Sequence, residues 1–351
     1  MLKNIKELTP KELGDVLSDW NEPRFRADQI FSWIYKNGVL DFNRMSNLSP
    51  SLRKRLKEGF SILDLELIKK LESSDGTQKL ILRTEDKNII EVAVIPTDQR
   101  VTGCISSQAG CAWACSFCAS GIGGLKRNLA SAEILEEILY IKENSVDNRL
   151  THLVFMGTGE PMDNYDNVMK AIRIINSPET LNIGARRITI STCGIIPGIK
   201  RLSGEGLQVE LSVSLHSPDD LVRSQLMPVN KKYPLKNLIL ACKEYIQKTN
   251  RQVTFEYCLV EGINSGLPEA QKLVTMLLGL NCKVNLIPFN PAGENNFAPP
   301  GKIKVLLFRD YLIKHGLNVT LRKERGRDID AACGQLRLRT QNERSENKNN
   351  A

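Results

Sequence analysis

The stretch GCISSQAGCAWACSFCASG, residues 103–121, holds four of the nine cysteines of this 351-residue chain. Cys111, Cys115 and Cys118 are spaced C-x3-C-x2-C, and Cys104 precedes them. The short run GCISS is typical of a buried β-strand. The three clustered thiols are therefore predicted to lie in a loop at the carboxyl end of a strand, where side chains can converge on a ligand.

Beyond this stretch, short runs rich in β-branched residues alternate with amphipathic helical segments. THLVFMG precedes NYDNVMKAIRIIN, and QVELSVSLHS precedes PLKNLILACKEYIQKT. Counting GCISS with ASAEILEEILYIKE, there are about six such units, which predict a parallel α/β sheet. No G-x-G-x-x-G turn follows the first strand, so a partial (β/α)6 barrel is favoured over a doubly wound sheet.

The chain divides into four predicted regions. Residues 1–62 read as a small N-terminal helical domain, because LTPKELGDVL places a Thr cap before a Pro at the first helical position. TQKLILRT and NIIEVAVIP predict a β-hairpin extension over residues 63–97. Residues 98–336 form the barrel core, and the polar residues 337–351 are predicted to be disordered. The N-terminal domain either caps the barrel or binds nucleic acid.

Composition limits the class of protein and its surroundings. The chain is 41% hydrophobic and 25% charged, as globular proteins are, and no apolar run resembles a signal peptide or membrane span. We therefore expect a cytoplasmic protein with no membrane partner, and a monomer by default. Thiols stay reduced in the cytoplasm, so the cysteines indicate metal binding, catalysis or core packing. The net charge of +8 is compatible with an RNA partner without establishing one.

The cysteine spacing favours an iron–sulfur cluster over zinc. Structural zinc needs four Cys or His ligands, yet the chain has three histidines and no second C-x2-C pair. Three cysteines can instead hold a 4Fe-4S cluster and leave one iron open. The spacing resembles that of radical S-adenosylmethionine (SAM) enzymes, in which the open iron chelates SAM. Zinc binding and buried core thiols remain alternatives, and Cys193, Cys242, Cys258 and Cys282 are expected in the core.

Polar residues follow the other predicted strands, at the barrel end where chemistry gathers. The run Gly157-Thr158-Gly159-Glu160-Pro161 resembles the motif that contacts the amino group of SAM. Gly159 would let the backbone approach closely, and Glu160 would accept an ammonium hydrogen bond. The further cofactor-binding candidates, apart from Leu215, are explained equally well as polar side chains that satisfy loop backbone. These further cofactor-binding candidates are Ser191, Ser214, Leu215, His216 and Asn290.

Nine short stretches together are similar to the RlmN/Cfr family of RNA methyltransferases, over nearly the whole chain. They are CISSQAGC, CSFCASG, KRNL, GEPM, ISTCGIIP, SLHSP, LMPVN, NLIPFNP and DIDAACGQL. The resemblance implies a radical SAM barrel with a 4Fe-4S cluster on Cys111, Cys115 and Cys118. It also implies two SAM molecules per turnover and a reductant such as flavodoxin or ferredoxin.

The resemblance further implies a mechanism in which a cysteine carries the methyl group. Cys333, in DIDAACGQL, would become S-methylcysteine, and a 5′-deoxyadenosyl radical would then remove hydrogen from that methyl group. The carbon radical would add to adenine, and Cys104 would release the product through a transient disulfide with Cys333. Glu91 occupies the family's position for the proton acceptor. Without the family, Glu91 would read as an outward-facing strand residue.

The resemblance implies adenosine in RNA as the substrate. Pro161 in the GEP form favours methylation at C2 of an adenosine in the peptidyl-transferase centre of 23S rRNA, and of the adenosine 3′ of the anticodon in tRNA. Cfr-like methylation at C8 is the alternative. A radical SAM enzyme with a non-RNA substrate and a zinc-stabilised RNA-binding protein are the rivals from other classes. The basic runs SLRKRLKEG, LKRNL and LRKERGR can hold phosphates, but they also suit solvated helix faces.

Overall fold

The computed structural model describes residues 2–62, 65–291, 297–323 and 325–336. The predicted disordered tail, residues 337–351, lies outside the described residues. In the described part of the chain, no helix has the length and apolar character that crossing a bilayer requires.

The N-terminal residues form three helices and two very short strands, which pair in parallel. Helix α1 begins at the predicted position because Thr9 and Glu12 form a reciprocal capping box. Ser49 caps helix α3 by accepting a hydrogen bond from the Leu52 amide. The elements are β1 (Lys3–Asn4), α1 (Pro10–Asp19), α2 (Phe25–Phe31), α3 (Pro50–Gly59) and β2 (Phe60–Ser61).

An antiparallel meander of three strands follows: β3 (Leu65–Glu72), β4 (Gln78–Thr84) and β5 (Ile89–Pro96). The predicted hairpin corresponds to β4 and β5. Strand β3 was not predicted, because most of its side chains are exposed and show no buried alternation. The pairing of β5 with β6 makes the meander continuous with the main sheet.

The rest of the chain supplies six strand–helix units and a final strand, which confirms the α/β partial barrel. The fourth unit carries two helices. In chain order the elements are β6 (Val101–Cys104), β7 (Gln108–Ala109), β8 (Arg127–Asn128), α4 (Ser131–Glu143), β9 (His152–Phe155), α5 (Tyr165–Asn176), β10 (Ile188–Thr192), α6 (Ile196–Leu202), β11 (Glu210–Ser214), α7 (Asp220–Leu226), α8 (Leu235–Thr249), β12 (Val253–Leu259), α9 (Leu267–Leu277), β13 (Cys282–Pro288), α10 (Lys302–Lys314) and β14 (Val319–Leu321).

The main sheet has ten strands, in the order β14-β13-β12-β11-β10-β9-β6-β5-β4-β3. Its edge strands β3 and β14 do not pair with each other in the described residues, so the barrel is open on one side. The segment after β14 crosses this opening to the β3–β4 turn. There Asp75 accepts the Gly326 amide at 3.1 Å, and Ser73 donates to Asp328 at 2.5 Å.

The interior of the barrel is polar and only partly filled. Inward side chains of the parallel strands line a cavity of about 530 Å³ instead of forming a packed core. The apolar core lies between the sheet and its surrounding helices. Because the barrel interior is not occupied by apolar side chains, it can admit a ligand. Its polar lining includes Thr102, His152, Thr189, Ser212, Thr254, Asn285 and Thr320.

A buried ion pair joins the N-terminal helical unit to the barrel. The Lys6 ammonium lies 2.8 Å from the Glu136 carboxylate of α4, and both side chains are fully buried. Lys6 also donates to the Ile62 carbonyl, and Glu136 accepts the Leu65 amide at 3.2 Å. These bonds fix the point at which the chain passes from the helical unit into β3.

We expect Lys6→Met to lower the free energy of unfolding by about 3–5 kcal/mol, because it leaves the Glu136 carboxylate buried without its cation. Equilibrium denaturation of the apo-protein measures the change. The control is Arg24→Met, which breaks a pair with Asp15 whose side chains are 70% and 49% exposed. That change should cost less than about 1 kcal/mol. A Lys6→Met loss as small as the control would contradict the expectation.

Candidate active site

The three clustered thiols lie at the carboxyl end of the parallel strands. Cys111, Cys115 and Cys118 line one cavity, which has a volume of about 150 Å³. In the described residues, no three His, Cys, Asp or Glu side chains converge on a single metal position. A 4Fe-4S cluster takes each cysteine on a different iron, so its ligands lie further apart than those of one zinc ion. Three thiols in one cavity are a donor set that a 4Fe-4S cluster with one open iron can use.

The electrostatics of these thiols also suit a bound cluster. Burial raises the pKa of all three, that of Cys111 to about 12. Negative charge on Cys118 raises the pKa of Cys111 and Cys115 further. Three neighbouring thiolates therefore repel one another unless positive charge binds between them. Iron held by Cys111, Cys115 and Cys118 would supply that charge, because metal binding deprotonates a thiol.

Gly159 and Glu160 are held rigidly at the next strand end. Gly159 has φ of +103°, and a Cβ there would lie 2.5 Å from the Cβ of Gln108, so only glycine fits. The Glu160 carboxylate accepts backbone N–H bonds from Met162 at 3.0 Å and Cys193 at 2.7 Å. Burial raises the pKa of Glu160, and these bonds oppose the shift. The carboxylate is thus fixed on the wall of the thiol-lined cavity.

The structure brings most of the other cofactor-binding candidates into the same cavity. Ser191, Ser214, His216 and Asn290 all line it. The buried Oδ1 of Asn290 has no hydrogen-bond partner among the described residues, so it can accept a bond from a ligand. Leu215 differs, because it is fully buried and lines neither this cavity nor the larger one. Its predicted contact with a cofactor stays a prediction.

His216 is oriented by its neighbours. The Cys258 amide donates to His216 Nδ1 at 2.9 Å, and the imidazole meets the Phe117 ring edge-on with centroids 4.6 Å apart. Burial, with the charge of Arg223, lowers the pKa of His216 to about 3. The ring is therefore neutral at physiological pH, and its proton resides on Nε2. It can act as a neutral hydrogen-bond donor to a ligand.

Cys104 and Cys333 meet in the larger cavity of about 530 Å³. Cys104 ends strand β6 and packs against Ala93 and Leu336. Burial raises the pKa of Cys104 to about 12, and negative charge on Cys333 raises it further. Cys333 lines both cavities, whereas Cys104 lines only the larger. The two thiols are thus close enough to interact electrostatically, although 228 residues lie between them in the chain.

Arg322 is a site residue that sequence analysis missed. Its Nη1 lies 3.8 Å from Cys333 Sγ and 3.6 Å from Met156 Sδ. Negative charge on Cys333, then that on Glu256 and Cys104, raises its pKa. The sequence analysis interpreted LRKERGR as either a phosphate-binding patch or a solvated helix face. Arg322 directly follows strand β14, which the sequence analysis did not predict, so no strand-end signal pointed to it.

Two cysteines expected in the core take part in the site wall. Cys193 is only partly buried, lines the thiol cavity, and donates its amide to Glu160, so the core interpretation was wrong for it. Cys258 is buried but also lines that cavity. Cys242 and Cys282 are buried and line neither cavity, as expected. Cys193 and Cys258 lie at or next to the carboxyl end of a strand, whereas Cys242 lies in a helix and Cys282 begins a strand. This difference in position separates the cysteines of the site wall from those of the core.

Glu91 faces the protein interior, so the outward-facing interpretation was wrong. It is 2% exposed, and its Oε2 lies 2.8 Å from Lys79 Nζ. Lys79 also donates to the Asp330 carbonyl at 3.1 Å, in the segment that carries Cys333. Glu91 lines neither cavity. Its role as proton acceptor stays a prediction, with a direct link to the Cys333 segment.

Comparison with known proteins agrees with this geometry. Residues 3–62 match the ribosomal RNA large subunit methyltransferase N-terminal domain, and residues 105–273 match the radical SAM superfamily. The chain is 45% identical over 337 residues to a Clostridium novyi protein named "Probable dual-specificity RNA methyltransferase RlmN", covering 96% of this chain and 98% of that one. A Geobacillus kaustophilus protein of the same name is 44% identical, covering 97% and 94%.

This chain belongs to the RlmN family of radical SAM proteins. A solved radical SAM methyltransferase from Sphaerobacter thermophilus is 42% identical, with a TM-score of 0.92, covering 95% of this chain and 99% of that one. Membership of the radical SAM superfamily implies an iron–sulfur cluster and SAM as cofactors. The cavity lined by the three thiols and the Glu160 carboxylate is the candidate site for these cofactors in this RlmN-family chain.

We expect Arg322→Met to raise the pKa of Cys104 further, because Arg322 opposes the effect of burial on that thiol. Only the thiolate is alkylated, so at about pH 9 the reaction of Cys104 with iodoacetamide should slow about tenfold per unit of pKa. Peptide-resolved mass spectrometry of the apo-protein measures the rate.

The control for this prediction is Arg325→Met. Arg325 lies in the same segment but donates to the Asp75 carbonyl at 3.3 Å and not to a thiol. It should leave the alkylation rate of Cys104 unchanged. Equal rates in the wild type and Arg322→Met would show that the guanidinium has no electrostatic effect on Cys104.

Proposed function

We propose that this protein is a radical SAM RNA methyltransferase that methylates C2 of adenosine, in 23S rRNA at the peptidyl-transferase centre and in tRNA 3′ of the anticodon. The observation that carries the proposal is the position of Cys333, which lines both cavities. A thiol there can receive a group on one side and deliver it on the other. The names of the similar proteins, which describe dual-specificity RNA methyltransferases, support RNA as the substrate.

The thiol-lined cavity is the proposed cofactor site. Cys111, Cys115 and Cys118 would each bind one iron, and Glu160 would accept hydrogen bonds from the SAM ammonium. Asn290, Ser191, Ser214 and His216 offer further polar contacts from the same walls. When bound, the cluster and two SAM molecules per turnover would supply the methyl group and the radical chemistry, with an external reductant such as flavodoxin or ferredoxin as electron source.

The two cysteines carry the methyl group and release it. The Cys333 thiolate would take the methyl group of SAM, whose carbon–sulfonium bond breaks and releases S-adenosylhomocysteine, because a thiolate is a competent nucleophile and a ring C–H carbon is not. Loss of one hydrogen atom from the S-methyl group, to the radical that the cofactors would supply, would let that carbon add to the ring. Once that carbon is joined to adenine, the Cys104 thiolate attacks the Cys333 sulfur. A disulfide forms, the sulfur–carbon bond breaks, and its electron pair stays on carbon, which takes up a proton to become the product methyl group. Glu91 accepts the proton lost from the ring.

The larger cavity is the proposed site of the target base. Among the residues that the structure describes, its lining includes seven Arg or Lys side chains and one acidic side chain, Glu256. Its volume of about 530 Å³ lies in the range of small-molecule sites. An adenosine taken out of its stack at a cost of a few kcal/mol would reach Cys104 and Cys333 there. The basic residues that would hold the flanking phosphates are Arg100, Arg186, Arg187, Lys283, Lys323 and Arg325.

Pro161 supports C2 as the methylated position. It completes the Gly159-Glu160-Pro161 form that favours the C2 branch, and it lies buried next to Glu160. Cfr-like methylation at C8 is the second candidate. Both reactions use the same cysteines and the same cavities, so only the product separates them.

The decisive experiment is an anaerobic reaction of reconstituted protein with SAM, a reductant and protein-free 23S rRNA or tRNA. The RNA is then digested and its methylated adenosines are identified by mass spectrometry. We expect C2-methyladenosine. C8-methyladenosine would contradict the ring position, and continued release of 5′-deoxyadenosine without methylated base would contradict RNA as the substrate.

Variants assayed in the same reaction test the assigned residues. Cys333→Ala should abolish methylation, because no thiol remains to carry the methyl group. Cys104→Ala and Glu91→Gln should instead accumulate a covalent protein–RNA adduct, since both stop the reaction after the base is joined to Cys333. Cys242→Ala is the matched control, because Cys242 is buried and lines neither cavity. Normal methylation by Cys333→Ala would rule out the proposed mechanism.

We expect Arg187→Glu and Lys283→Glu each to weaken RNA binding and to reduce the slope of log affinity against log salt by about one or more, because each removes a phosphate contact. Filter binding at several salt concentrations measures both quantities. Lys314→Glu, an exposed change of equal charge on α10 that lines neither cavity, is the control. Equal slopes in all three variants would place the RNA elsewhere.

A further inference from the structure

Arg223 is a fully buried cation whose hydrogen-bonding groups meet neutral acceptors. Its Nε donates to the Leu215 carbonyl at 3.1 Å, and its Nη1 to Asn230 Oδ1 at 2.6 Å. Its Nη2 donates to the carbonyls of Cys193 and Ser214, at 2.8 and 3.0 Å. Across the described ranges, no carboxylate forms an ion pair with it. The guanidinium is well hydrogen-bonded but contacts no carboxylate directly. Asp220, whose Oδ1 accepts from Asn230 Nδ2 at 3.1 Å, acts on its charge only through that intervening side chain.

A buried charge without a counter-ion is costly, because the low-dielectric interior does not screen it. Carbonyl dipoles offset part of that cost but carry no net charge. Burial lowers the pKa of Arg223, and negative charge on Cys193 and Cys115 opposes the shift. Arginine stays protonated even so. Arg223 therefore places a permanent positive charge in the protein interior, and no carboxylate among the described residues forms an ion pair with it.

The carbonyl groups that Arg223 binds belong to residues in the wall of the thiol-lined cavity. Cys193 and Ser214, whose carbonyls it binds, both line that cavity. The loop that carries the clustered cysteines rests on the same helix, since Ser116 donates its amide to the Leu226 carbonyl of α7 at 2.9 Å. Arg223 lies one turn earlier on α7. Its charge is thus held directly behind the cavity that would contain the cluster.

We propose that Arg223 is the fixed positive charge that offsets the negative charge of the cluster and raises its reduction potential. The inference rests on the proposed ligand set of Cys111, Cys115 and Cys118. A cluster held by three thiolates is net negative, and adding an electron makes it more so. A cation in a low-dielectric wall stabilises the reduced form more than the oxidised form. Arg223 does not contact the cluster in this proposal, and its charge acts on the cluster through space.

The test is a redox titration of the reconstituted protein without SAM, followed by electron paramagnetic resonance. Arg223→Gln removes the charge and should shift the midpoint to lower potential. Asn230→Asp keeps the guanidinium but sets a carboxylate against its Nη1, and should shift the midpoint in the same direction. Asn230→Leu, which loses the same Nδ2 bonds to Asp220 and Ser224 without adding charge, should not. Arg223→Lys keeps the charge and should stay near the wild type. If Arg223→Gln fails to assemble a cluster, Asn230→Asp decides the outcome.

The matched control is Arg201→Gln, which removes one arginine charge from the surface of α6, where the side chain is 53% exposed. It should not move the midpoint, because solvent screens an exposed charge. Equal midpoints in the wild type, Arg223→Gln and Asn230→Asp would overturn the inference and leave Arg223 a purely structural brace. Failure of the wild type to bind any cluster would instead overturn the proposed ligand set.

Discussion

The position of Cys333 depends on hydrogen bonds that hold its segment from two sides. On one side, Asp75 and Ser73 in the β3–β4 turn bind Gly326 and Asp328 across the open edge of the barrel. On the other, the Ala119 amide, next to the last clustered cysteine, donates to the Gly334 carbonyl at 2.8 Å. The segment therefore closes the barrel without a strand pairing, and this puts one thiol on the boundary between two cavities.

The barrel interior is only partly filled, which leaves space for a ligand beside Cys333. The same feature removes apolar packing from the inside of the barrel. Side chains such as Thr189, Thr254 and Asn285 point into the barrel, so they contribute no apolar burial there. Stability must come from the layer between sheet and helices and from the N-terminal helical unit, whose junction relies on the buried Lys6–Glu136 pair. The apolar contacts outside the sheet thus leave the interior free for ligands.

The two cavities of the site differ in the charge of the residues that line them. The smaller cavity collects thiols and the carboxylate of Glu160, with the buried Arg223 behind its wall. The larger one is lined by basic residues, which suit a polyanion. Arg322 lies where the two meet, beside Cys333. A cation at that boundary can act on both thiols of the proposed pair.

The sequence by itself determined the βα repeat, the parallel sheet and the grouping of Cys111, Cys115 and Cys118, because these follow from local periodicity and short spacing. Resemblance to a family was needed to connect Cys104 with Cys333, since nothing local relates residues so far apart.

The tertiary structure alone decided the rest. In the folded protein Glu91 faces inward and pairs with Lys79, and Cys193 lines the thiol cavity. Arg322 and Arg223 lie beside the cavities. Strand β3, which is largely exposed, gave no periodic signal. The physical reason is the same in each case: the role of these residues depends on which partners the folded sheet brings within hydrogen-bond or electrostatic reach, and a linear pattern does not contain that information.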